Sequence, residues 1–113
     1  MIWFLSFENS EFLFKDLSES RSDDLGAKAQ YYYGVTLFDQ EKYTDAISAF
    51  VRVRSVFSSY EEWYYKSLMK LGDCYVELND KKNARDMYRA VIKKHKNDSL
   101  GKEANDKLKK LWK

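Results

Sequence analysis

Cys74 and His95 are each the single residue of their type in this 113-residue chain, and together they form its one nucleophile–base pair of interest. Catalysis by such a pair needs the two groups within hydrogen-bond reach. They stand 21 positions apart, on segments that read as different helices. A metal site would need three or four converging ligands, and no His/Cys/Asp cluster offers them. The four glycines are isolated rather than gathered into a phosphate-cradling loop. Asp23, Asp24, Glu61 and Glu62 fall where helices should begin, so capping accounts for them. One cysteine also excludes an intramolecular disulfide. The chain therefore reads as non-catalytic, with no cofactor and no metal.

Spacing carries more information than chemistry. Gly34 and Gly72 stand 38 residues apart, as do Ala46 and Ala84. The same offset pairs Tyr33 with Leu71, Leu37 with Tyr75, Phe38 with Val76, Phe50 with Tyr88 and Val53 with Val91. A fixed period of this size indicates a repeat architecture. Tyr33, Gly34 and Leu37 share a helical face, as do Leu71, Gly72 and Tyr75. Glycine inside a helix costs about 1 kcal/mol against alanine, which close approach of a second helix would justify. Ala46 and Ala84, early in the following helices, are the expected other half of that contact. Phe50 and Val53, then Tyr88 and Val91, continue an apolar stripe at i+4 and i+7.

The stretches YGVTLFDQEKYTDAISAFVRV and LGDCYVELNDKKNARDMYRAV resemble the tetratricopeptide repeat. That family's pattern has a small residue, a large apolar residue three on, an alanine twelve on, then further apolar positions. The resemblance implies an all-α fold, an α–α superhelix of helical hairpins with a C-terminal solvating helix. It covers residues 27–96 closely and extends to 97–113. Two features depart from the pattern: the period exceeds the usual 34 residues, and the chain has no proline. Cys74 falls where the family has a small buried residue. The longer linker and the wording of the second copy are similar to repeats of bacterial cell-envelope proteins, namely outer-membrane assembly lipoproteins and the periplasmic partner of the Tol–Pal system. That likeness implies a periplasmic or envelope location, with the cytoplasm as the alternative.

In this family the first helix of each hairpin lines a concave groove. Carried over by position, the resemblance implies groove residues Lys28, Tyr31, Val35, Phe38 and Asp39, then Lys66, Met69, Asp73, Val76 and Glu77. Gly34, Ala46, Phe50, Gly72, Ala84 and Tyr88 are the implied packing positions. The implied partner is another protein, an extended peptide or a helix with apolar anchors. Some members clamp a chaperone's C-terminal carboxylate with lysine and asparagine. Tyr31 and Val35 occupy those positions here and supply no charge-assisted bond.

At this length the chain is one domain or a fragment of a longer protein. Residues 1–80 carry 8 Lys/Arg and 14 Asp/Glu, a balance of −6; residues 81–113 carry 12 and 4, a balance of +8. The organisation expected is an N-terminal helical segment (1–21), a first hairpin (22–57), a second hairpin (58–96) and a capping helix (97–113). Ser22 or Asp23 should cap the first long helix, and Ser59 with Glu62 should form a capping box. Phe12 lies 38 before Phe50, so the N-terminal segment has the register of a second helix from a partial preceding repeat. Trp3, Phe4, Phe7, Phe12 and Phe14 should be buried, by covering the open end of the first hairpin or by self-association. Leu100, Ala104, Leu108, Leu111 and Trp112 form the narrow stripe of the last helix. Lys93, Lys94, Lys96, Lys102, Lys107, Lys109 and Lys110 leave a second function open, docking on an anionic membrane or nucleic-acid surface. Scarce arginine and the lack of an aromatic base platform speak against nucleic acid. No apolar run approaches the length of a membrane span.

Overall fold

The computed structural model describes residues 2–112, with side chains described from Ser10 onward. The expected burial of Trp3, Phe4 and Phe7 lies outside the described side chains. Six helices follow one another: α1 (Ile2–Ser20), α2 (Asp24–Asp39), α3 (Tyr43–Val56), α4 (Glu61–Glu77), α5 (Lys81–Lys94) and α6 (Ser99–Lys110). There is no strand among the described residues. Each helix packs on the next, and α2 also touches α4. The stack thus has α2, α4 and α6 on one side and α1, α3 and α5 on the other.

The glycines explain how closely the hairpins close. A Cβ on Gly34 would sit 2.5 Å from Cε1 of Phe50, and one on Gly72 would sit 2.8 Å from Cδ1 of Tyr88. Each glycine therefore leaves room for an aromatic ring from the following helix. The expectation that Ala46 and Ala84 fill that role is corrected: both are fully buried, but the ring four residues further on occupies the space. An aromatic ring removes more apolar surface from water there than a methyl group could.

Both hairpins turn in the same way. The Lys42 amide donates to the Leu37 carbonyl and the Asp80 amide to the Tyr75 carbonyl, at 3.0 and 2.8 Å. Glu41 and Asn79 between them adopt φ of 62° and 60°. This is the six-to-one closure that ends many helices, and it recurs at the 38-residue period.

Asp23 caps α2 and Asp98 caps α6, each carboxylate accepting from the glycine amide three residues on. Asp80 does the same for α5 through Asn83. The Ser59–Glu62 capping box does not form. Tyr60 takes the N-cap of α4 with no side-chain cap bond, and its hydroxyl donates to the Ser22 carbonyl at 3.2 Å. The aromatic group Phe57, Tyr60 and Trp63, packed with Ala27 and Val53, sets where α4 begins.

The main core runs from Leu37, Ala46 and Phe50 through Leu68, Leu71 and Cys74 to Tyr88, Val91, Ala104 and Leu111. Two aromatic expectations fail at the ends. Phe12 is 70% exposed and Trp112 is 61% exposed. Among the described residues no helix precedes α1, so a ring at Phe12 has no glycine-bearing helix to pack on. Trp112 lies beyond the last turn of α6, with the Lys81 ammonium 5.9 Å from its ring centroid.

Candidate functional site

The side chains of α2, α4 and α6 that face away from α3 and α5 line two adjoining cavities. The first, of about 320 Å³, gathers Tyr31, Tyr32 and Val35 from α2, Lys66, Met69, Lys70 and Asp73 from α4, and Leu100, Glu103 and Lys107 from α6. The second, of about 330 Å³, gathers Phe38, Asp73, Val76 and Glu77 with Tyr88, Lys107, Lys110 and Leu111. Asp73 and Lys107 belong to both, so the cavities form one furrow across three helices.

The polar centre of this furrow is a closed network. The Lys107 ammonium meets both oxygens of Asp73 at 2.9 and 2.8 Å. The Tyr88 hydroxyl donates to the same carboxylate at 2.6 Å. Burial, then this hydrogen bond, pushes the Tyr88 phenol upward. A half-buried carboxylate with three such contacts is already satisfied, so Asp73 holds α6 in place rather than waiting for a ligand.

Tyr31 is equally committed to the fold. Its ring packs on Tyr32, Phe50 and Trp63 with centroid separations of 5.1, 5.8 and 5.6 Å, and burial raises its phenol to about 12. Met69 is buried in the main core. Cations line the rim. Lys66 stands 4.8 Å over the Trp63 ring and pairs with Glu62 at 3.2 Å, while Lys70 stands 4.8 Å over Phe38. Such placements favour a positive charge near an aromatic face.

Of the ten groove positions expected from sequence, Tyr31, Val35, Lys66, Met69 and Asp73 line the first cavity, and Phe38, Asp73, Val76 and Glu77 line the second. Lys28 is exposed, 6.0 Å from the Trp63 ring centroid, and Asp39 ends α2 exposed; both lie outside the cavities. Sequence reasoning missed the third wall, made by Leu100, Glu103, Lys107, Lys110 and Leu111. The signal was present: Lys107 follows Met69 by the 38 residues that separate Met69 from Tyr31.

Residues 66–98 match the family model described as Tetratricopeptide repeat. The matched stretch runs from α4 through α5 to the cap of α6. The all-α stack is a tetratricopeptide-type helical repeat, with Phe50 over Gly34 repeating the relation of Tyr88 to Gly72. No curated protein matches the chain. Tetratricopeptide repeats as a class point to protein–protein interaction.

The residues first weighed for chemistry are used structurally. Cys74 is fully buried, and burial pushes its thiol up to about 12, far from the thiolate a nucleophile needs. His95 joins α5 to α6, its Nδ1 2.6 Å from Asp98. Asp23 caps α2, Asp24 accepts from the Trp63 indole at 3.0 Å, and Glu62 pairs with Lys66.

Proposed function

We propose that the furrow across α2, α4 and α6 holds a segment of another protein, a peptide or helix with apolar anchors. The observation that carries this reading is the gathering of Tyr31, Val35 and Met69 with Leu100 around one open cavity of about 320 Å³. Apolar walls with a few placed charges suit a side-chain anchor flanked by polar backbone. Val35, Val76 and the rims of Lys66 and Lys70 are the surfaces a partner would meet, since Tyr31 and Met69 also support the core.

Peptides selected on the wild-type chain from a random library test this. Val76→Asp and Lys66→Glu should each weaken the selected peptides about tenfold or more, because Val76 is exposed and Lys66 lies on the rim. Unchanged thermal stability should accompany the loss. Peptides insensitive to both changes overturn the groove.

The second reading is docking on an anionic surface through the exposed Lys93, Lys94, Lys96, Lys102, Lys109 and Lys110. Lys107 is removed from that set by its pairing with Asp73. Such docking would weaken steeply as salt rises past the screening range, whereas binding anchored by apolar contacts would not. An envelope context is supported by the wording of the second copy alone. No described helix is long and apolar enough to cross a membrane.

A further inference from the structure

In the stack, α3 is packed between α2 and α4, and α5 between α4 and α6. Both bury a stripe completely on the preceding helix: Ala46, Phe50 and Val53 in α3, and Ala84, Tyr88 and Val91 in α5, all at 0–1% exposure. Helix α1 packs on α2 as α3 packs on α4, yet among the described residues nothing lies on its other flank. Phe14 lies 5.8 Å from the Tyr32 ring and Ser18 is buried, which marks the side turned to α2. Beside them Ser10, Leu13 and Leu17 share a face at i, i+3 and i+7. Ser10 and Leu17 are half-buried, and Leu13 is 58% exposed.

We propose that this flank of α1 is a docking seat for one helix of the α2/α4 type, supplied by a partner polypeptide. The chemistry of the occupant follows from the interfaces it would continue. It is amphipathic, with a glycine where the α1 side chains approach and a large apolar residue three positions on, as in Gly34 with Leu37 and Gly72 with Tyr75. A second copy of this chain does not offer such a helix, because both of those glycines are already covered, by Phe50 and by Tyr88. Gly101 of α6 is buried as well. This seat is separate from the furrow and stands or falls without it.

The probe is a copy of residues 24–39 joined ahead of the full chain by a flexible Gly/Ser linker. The linker raises the effective concentration to the millimolar range and leaves the docking register free. The expected result is a rise in Tm of a few degrees with amide shifts centred on Ser10, Leu13 and Leu17. A Gly→Trp change at the copied Gly34 should cancel both effects, and so should Leu13→Asp in the host. Leu13→Asp alone should leave the Tm of the unextended chain unchanged, since the side chain is mostly exposed. No rise in Tm, or a rise that survives the tryptophan, overturns the proposal. So does a Leu13-dependent dimer of the unextended chain, which would make a second copy the occupant.

Discussion

Glu41 is held at φ 62°, a left-handed conformation that costs an ordinary L-residue roughly 1–2 kcal/mol. Asn79 occupies the same place in the second hairpin, and asparagine tolerates it better. Glu41→Asn should therefore stabilise the chain by about 0.5 kcal/mol, read as a higher denaturant midpoint with an unchanged slope. Asp23 illustrates a charge effect at the same scale. The Arg21 guanidinium at 2.5 Å, then the Gly26 amide, hold its carboxyl at about 2. The unfolded value is about 3.9, so this cap contributes fully above that pH and is lost as pH falls through about 2. Hydrogen exchange in the first turn of α2 should quicken over that window. Asp23→Asn, which keeps an acceptor but not the charge, should flatten the pH response. Asp98, lowered by the Gly101 amide and then by His95, should protect the first turn of α6 in the same direction.

Between helices, the decisive contact is a ring seated on a bare backbone. Gly72→Leu would drive a side chain into Tyr88, which is buried among α4, α5 and α6 and has no room to withdraw. Overpacking of this kind costs about 1–3 kcal/mol or more, and the second hairpin should lose helicity first. An unchanged midpoint in denaturant would contradict the packing described. This contact also shows what a reader of the sequence could and could not see. Glycine in a helix signals close approach, and the period identifies which glycines matter. The filler was misassigned because Ala46 and Ala84 are small and conveniently spaced, whereas burial favours the larger Phe50 and Tyr88. Asn79 signals a left-handed turn by its type, but Glu41 carries no such signal. The Ser59–Glu62 box was a sound local pattern overridden by tertiary packing of Tyr60 and Trp63.

Across the whole molecule, the all-α repeat was legible because apolar spacing survives without knowing any neighbour. The furrow was legible on α2 and α4, where side chains repeat, and illegible on α6. A lysine-rich helix looks solvated until Lys107 is seen against Asp73, a meeting that depends on how α6 leans on α5. Phe12 and Trp112 failed for the opposite reason: composition argues for burial, but only position in the stack decides whether a neighbour exists. The acidic first 80 residues and basic remainder translate into lysines that crowd α5 and α6, away from the aromatic joint between the hairpins.

That joint holds Trp63, whose indole donates to Asp24 on α2 while its ring lies under Lys66 of its own helix. One chromophore thus spans both hairpins at the point where they pivot. With Trp3 and Trp112 replaced by phenylalanine, its emission would follow the bend of the array directly, and a molecule that flexes to grip its cargo would report the motion through its own light.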